Sequence, residues 1–193
     1  MPGRAKGSGR LDRSLVVEAM HGDETAFAGL MTVVGDRLLA TAFRILRDLD
    51  LAEDAVQVAL ISAWRDLPTL REPDRFEPWL MRLLVRACYA EAERHRRWTG
   101  RVQAIPVDGP ATPDATGAVA DRDQLDRGFR RLPVDQRAVF ILHHYLGWSQ
   151  PEIAASLGIP LGTVKSRLHY ATQTLRAALE ADARTVASTG QPA

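Results

Sequence analysis

An all-α fold is predicted for this 193-residue sequence: two small helical domains joined by a flexible linker, the second containing a helix-turn-helix. Three observations predict it. Apolar residues recur at helical spacing through most of the chain, and no segment alternates as a strand would. A stretch rich in Pro and Asp, "VQAIPVDGPATPDATGAVAD", interrupts that pattern without a single Lys or Arg. The block after it contains a glycine break with the spacing of a helix-turn-helix.

The elements follow in order. Residues 1–13 are basic and glycine-rich, with no apolar run behind them, and read as a tail rather than a secretory signal. Residues 14–98 form the first domain. "GDETAFAGLM" offers Asp23 as an N-cap, and "LDLAEDAVQVALISAWRDL" offers Asp50 as a cap before a long amphipathic helix that Pro68 closes. That helix displays Glu53, Asp54, Gln57 and Arg65, and its apolar residues exceed one face, so Ile61 and Trp64 are candidates to cover a partner or the domain's own core. "PTLREPDRFEP" holds three prolines and must be a loop. The next helix runs from Arg75 or Phe76 to Arg97, with Phe76, Trp79, Leu80, Leu83 and Ala87 inward. Arg75, Arg82, Arg86, Tyr89, Glu93 and Arg97 share the opposite face.

Residues 99–122 are an acidic linker, carrying Asp108, Asp114 and Asp121. Twenty extended residues span up to roughly 70 Å, enough for two separated sites. Residues 123–180 form the second domain. "LPVDQRAVFILHHYLG" ends at Gly147, and Ser149 with Glu152 makes a capping box at the start of the following helix. Ile153, Ala154 and Leu157 supply that helix's inner face, Gly158 the tight turn, and Ile159 the corner. Val164, Leu168, Ala171 and Leu175 anchor the second helix. Residues 181–193 read as a fraying tail.

Composition narrows the function. Hydrophobic residues at 46% and charged residues at 25% describe a soluble globular protein, and a net charge of +1 excludes a uniform polycation. The lone Cys88 cannot form an intrachain disulfide, sits in an apolar stretch as a small buried hydrophobe, and fits the cytoplasm. No apolar run approaches the roughly 18 residues of a membrane span, so no membrane insertion is expected. There is no glycine-rich phosphate loop, no His/Cys cluster and no nucleophile motif, so neither an enzyme, a cofactor nor a metal is expected. His143 and His144 are adjacent and point about 100° apart on a helix, unsuited to sharing a metal.

Charge is instead segregated locally. After Glu152 no acid appears until Glu180, and between them stand Lys165, Arg167 and Arg176. On the second helix of the helix-turn-helix, Ser166, His169, Tyr170 and Gln173 oppose the apolar stripe, flanked by Lys165 and Arg167. Polar groups facing base edges, cations facing phosphates and no opposing carboxylate suit a helix in the major groove. Arginines interleaved with Tyr89 on the earlier helix suit a nucleic-acid backbone and an unstacked base.

These residues, in this order, resemble the extracytoplasmic-function (ECF) group of the sigma-70 family of bacterial RNA polymerase sigma factors. "AEDAVQVALISAWRDL" is similar to the family's core-binding helix, "FEPWLMRLLVRACYAEAERHRR" to its promoter-melting helix, and "GTVKSRLH" to its minus-35 reader. The resemblance implies docking on the polymerase clamp coiled coil through Asp54, Gln57, Ile61 and Trp64, with the flap as a second contact. It implies minus-10 recognition and strand capture by Arg71, Arg75, Arg82, Arg86, Tyr89 and Arg97. It implies minus-35 recognition by Thr163, Lys165, Ser166, Arg167, His169 and Tyr170, an acidic linker in the polymerase's nucleic-acid path, and a possible anti-sigma partner. The family usually has an acid where Val58 stands, often Asn and Asp near Arg86 and Ala90, and more arginine than "YATQTLR" provides. A double reversal, Lys165→Glu plus Arg167→Glu, is expected to abolish minus-35-dependent initiation and spare core binding. The alternative reading is a free-standing helix-turn-helix regulator, which leaves the first domain without a purpose. An interaction module that has lost DNA binding is a further rival, opposed by the intact "GTVKSRLH".

Overall fold

The computed structural model describes residues 12–102 and 128–189, which are helical apart from short turns and contain no strand. Seven helices of more than one turn are described: α1 (Arg13–Met20), α2 (Glu24–Leu46), α3 (Leu49–Asp66), α4 (Phe76–Val102), α5 (Val134–His144), α6 (Gln150–Leu157) and α7 (Leu161–Thr189). Residues 103–127, which include most of the expected 99–122 linker, lie outside the described residues, as do residues 1–11 and 190–193.

Side-chain oxygens set most of the helix starts. Asp12, Asp23 and Asp48 each accept a backbone N–H in the first turn of α1, α2 and α3. The cap of α3 is therefore Asp48, not Asp50, which lies inside the first turn where its charge favours the helix dipole. Pro68 ends α3 in a short 3₁₀ turn, Leu67–Thr69, and a second such turn, Pro73–Arg75, leads into α4. Both helices predicted to stop early run on. α4 continues past Trp98 to Val102, and α7 continues past residue 180 to Thr189, so the expected fraying tail is largely helical.

In the first domain α2 carries Leu30, Val34, Leu38, Ala42 and Ile45 inward against α3 and α4. α3 meets them with a row of small residues, Ala52, Ala55, Ala59 and Ala63, which lets the helix axes approach closely. By length and composition α2 is apolar enough to cross a membrane, contrary to the expectation that no run comes near it. Its apolar side is occupied by the core instead, and its mid-helix Arg37 pairs with Glu77 of α4 at 2.7 Å.

The second domain holds the helix-turn-helix as α6 and α7. The Ser149 hydroxyl accepts from the Glu152 N–H while the Glu152 carboxylate accepts from the Ser149 N–H, completing the capping box. Gly158 takes φ +67°, the left-handed turn that brings α7 back across α6, and Ile159 packs into the corner. Gly128, in a helical turn at 128–131, lies close to α7: a Cβ there would stand 3.2 Å from Leu175 Cδ2.

The domains do not stand apart. α4 packs on α2 and α3 with one side and on α5 and α6 with the other, and α2 also touches α5. Ile141, Leu142, Ile153, Val164 and Leu168 belong to the same continuous apolar core as Leu38 and Leu84. Met81, Leu84, Val85 and Cys88, all absent from the predicted inner face of α4, are buried as well, so the apolar surface of α4 is wider than the predicted stripe. Burial pushes the Cys88 thiol up to about 12, consistent with an inert core residue.

Replacing Gly158 with Ala tests the turn. The added Cβ meets only Arg82 Nη2 at 3.6 Å, so its cost is the left-handed backbone, about 1–2 kcal/mol. Urea unfolding should show a loss of that size, and an unchanged midpoint would rule out strain at this turn.

Candidate nucleic-acid and polymerase interfaces

The stripe of Val164, Leu168, Ala171 and Leu175 is buried, which fixes the rotation of α7. Lys165, Ser166, His169 and Tyr170 are consequently exposed, and Thr163 is half-buried. The Ser166 hydroxyl donates to the Thr163 carbonyl at 3.0 Å, and the His169 and Tyr170 rings sit edge-to-face at 5.7 Å. Arg167 is turned inward. Its guanidinium pairs with Asp135 at the start of α5, at 2.9 Å, and is only 24% exposed. Asp135, which the sequence did not single out, is thus the residue that holds Arg167, and Arg167 braces α7 against α5.

The six expected nucleic-acid residues, on α4 and the loop before it, separate into two groups. Arg71, Arg75, Arg86 and Arg97 are exposed, with Arg75 paired to Glu72 at 2.8 Å and Arg97 to Glu93 at 2.9 Å. Arg82 and Tyr89 are covered by the second domain. Arg82 Nε is buried without a hydrogen-bond partner, and the side chain borders a crevice of about 440 Å³ with Trp79, Trp148 and Ser156. The Tyr89 hydroxyl is likewise buried without a partner, and burial pushes its phenol up to about 12. Arg167 works against that shift and Asp135 with it. The single continuous face expected for α4 fails because helical periodicity cannot register a second packing neighbour.

α3 presents a third surface. Gln57 and Ile61 border a groove of about 390 Å³ whose other wall is Asp36 and Leu39 of α2. Ile61 is 61% exposed and Val58 is exposed beside it. Trp64 is only partly available, because its ring packs on Phe27 at 5.0 Å. Asp54 is not a free carboxylate: Arg94 of α4 bridges it and the buried Glu91. Among the described residues no group of His, Cys, Asp and Glu is arranged to hold a metal.

Comparison with known proteins follows the same division. The Sigma-70 region 2 model matches residues 30–98, and the Sigma-70, region 4 model matches residues 122–175. The ECF RNA polymerase sigma factor SigL of Mycobacterium tuberculosis is 34% identical over 169 residues, covering 83% of this chain and 95% of the relative. The chain belongs to the ECF group of the sigma-70 family. SigW of Bacillus subtilis, another ECF sigma factor, is 27% identical over 173 residues, covering 83% of this chain and 92% of its own. Solved structures are similar as well. CnrH in complex with the cytosolic domain of CnrY has a TM-score of 0.65 at 26% identity, over 89% of this chain and 99% of that one. RpoE with the anti-sigma factor NepR from Bartonella quintana has a TM-score of 0.63 at 27% identity, over 81% and 98%. As an ECF sigma factor the chain binds RNA polymerase core and directs promoter-specific initiation of transcription. Its family comprises initiation factors rather than enzymes.

The orphaned phenol of this sigma factor gives a test of the seam between its domains. Tyr89→Phe removes a buried hydroxyl that has no partner, so it should raise stability by about 1 kcal/mol in denaturant unfolding. A loss of stability instead would mean that the hydroxyl is satisfied after all.

Proposed function

We propose that three surfaces of this sigma factor divide the work of initiation. The groove between α2 and α3, with Gln57 and Ile61 at its rim and Asp54 and Trp64 beside it, docks on the clamp coiled coil of the polymerase core. Arg71, Arg75, Arg82, Arg86, Tyr89 and Arg97 hold the minus-10 strand, with phosphates on the guanidiniums and an unstacked base on the Tyr89 ring. Thr163, Lys165, Ser166, His169 and Tyr170 meet the minus-35 element in the major groove. Arg167 serves there as a brace that sets the rotation of α7. The protein contributes no bond chemistry of its own and acts in the cytoplasm, where polymerase and chromosome are. An anti-sigma protein is a further partner, by analogy with the RpoE complex with the anti-sigma factor NepR.

The observation that carries the reading is the exposed, acid-free face of α7 on a domain packed beside a basic helix. A free-standing regulator would use the first and leave the exposed apolar rim of Ile61 and Val58 unexplained.

Purified polymerase core should produce discrete new transcript starts on fragmented genomic DNA only when this protein is added. Lys165→Glu should abolish starts that need the upstream element while leaving core binding intact. It replaces the double variant with Arg167→Glu, which would set two carboxylates face to face at Asp135 and unsettle the domain. Ile61→Glu should do the reverse, weakening core binding at least tenfold by placing a charge in an apolar contact. Loss of core binding in Lys165→Glu would overturn the division of labour.

A further inference from the structure

Four guanidiniums stand in one another's field where the end of α2 meets α5, and none of them belongs to the three surfaces assigned to polymerase and promoter. Arg44 lies in the last turn of α2 and Arg47 caps it, Arg130 sits in the helical turn before α5, and Arg137 belongs to α5. Arg44 and Arg47 line an open groove of about 270 Å³, together with Phe140, Ile141, His144 and Tyr145. None of the described residues that line it is acidic. Asp48, the carboxylate next to Arg47 in the chain, is engaged as the cap of α3, accepting from the Leu51 N–H at 3.0 Å.

This crowding works against the charges that form it. Burial disfavours the charge on Arg47, and repulsion from Arg130 and then Arg44 adds to the effect. Burial likewise disfavours the charge on Arg137, with Arg47 and Arg130 again repelling. Arg137 Nε is buried without a hydrogen-bond partner, while its Nη1 donates to the Leu46 carbonyl at 3.4 Å. Arg44 Nη1 donates to the Ala40 carbonyl at 2.8 Å, and the same guanidinium stacks on the Tyr145 ring at 3.9 Å. The Arg47 guanidinium lies over the rings of Phe43 and Phe129, at 5.4 and 5.9 Å. These contacts position the cations without neutralising them.

The lining specifies a ligand chemistry. Guanidinium forks match phosphate oxygens, and several together suit a chain of phosphates better than one carboxylate. Opposite them the His144 ring stacks on Phe140 at 4.3 Å. Partial burial and then His143 hold the His144 imidazole below its ordinary range, so the ring is neutral at pH 7. The exposed rings of His144 and Tyr145 offer aromatic surface of the kind on which a nucleobase stacks. A groove at the small end of ligand pockets has room for one such molecule.

We propose that this groove is a binding site for a nucleoside polyphosphate, its phosphates on Arg44 and Arg47 and its base against His144 and Tyr145. Arg130 and Arg137, whose charges already act on Arg47, add attraction for the phosphates. The bound anion offsets the repulsion among the four cations. The site is separate from promoter recognition and does not depend on that reading.

The test is calorimetric titration of the full-length protein, without nucleic acid or magnesium, with ATP, GTP and inorganic triphosphate. Both nucleotides should bind, about tenfold more tightly than triphosphate. Arg44→Glu places a carboxylate beside Arg47, and should lower nucleotide affinity at least tenfold while the protein stays folded by circular dichroism. Arg44→Gln removes the charge without reversing it, should weaken both nucleotides likewise, and serves if the Glu variant does not fold. His144→Ala, at an exposed position, should weaken the nucleotides and leave triphosphate unchanged. The proposal is overturned if no nucleotide binds at about 1 mM, or if folded Arg44 variants bind as the wild type does. Triphosphate binding as tightly as ATP would also overturn it, marking the cluster as an adventitious polyanion site only. So would a single-stranded 20-nucleotide DNA that displaces the nucleotides and loses its own affinity in Arg44→Glu, which would make the groove a nucleic-acid contact. Core-dependent transcript starts report on the sigma-factor reading itself and are independent of each of these outcomes.

Discussion

The constraint on which the rest of the structure depends is that α4 buries apolar residues on two sides. Of the expected inner face of Phe76, Trp79, Leu80, Leu83 and Ala87, Trp79 and Leu83 are only half-buried, while Met81, Leu84, Val85 and Cys88 are buried beyond it. One side satisfies α2 and α3; the other requires α5 and α6. A helix carrying so wide an apolar surface holds the two domains together by the same burial that builds their cores.

That geometry explains how each candidate surface is arranged. α7 turns its apolar stripe inward, so the acid-free polar face points to solvent, and Asp135 captures Arg167 at the edge of that stripe. On α3, small alanines face the core and leave Ile61 and Val58 outside, an apolar rim on an otherwise polar helix. Arg94 ties Asp54 to Glu91 and so links the docking helix to α4. The exposed arginines of α4 and of the turn before it are partly neutralised by neighbours, Arg75 by Glu72 and Arg97 by Glu93. Such surface pairs are weak and salt-screened, and phosphates compete with them readily.

Much of this was legible in the sequence because it is local. The capping box at Ser149 and Glu152, the left-handed turn at Gly158 and the stripe from Val164 to Leu175 each depend on residues a few positions apart. Their physics is complete within one helix or one turn. The helix cap at Asp48 was misread as Asp50 because two aspartates stand two positions apart, and only geometry decides which one reaches Leu51 N. The inward turn of Arg167, the covering of Tyr89 and the bridge from Asp54 to Arg94 all need partners from distant parts of the chain. No periodicity encodes them. A basic residue on the edge of an apolar stripe, opposite an acid in another helix's first turn, is the nearest thing to a signal for the Asp135–Arg167 pair.

The most direct test is the distance between the two domains in the free protein. Spin labels at Asp50→Cys on α3 and Arg176→Cys on α7 occupy exposed positions outside the proposed contacts, and the buried Cys88 thiol stays unlabelled. Pulsed electron resonance should give one short distance. A distance that is long and broad would contradict the account.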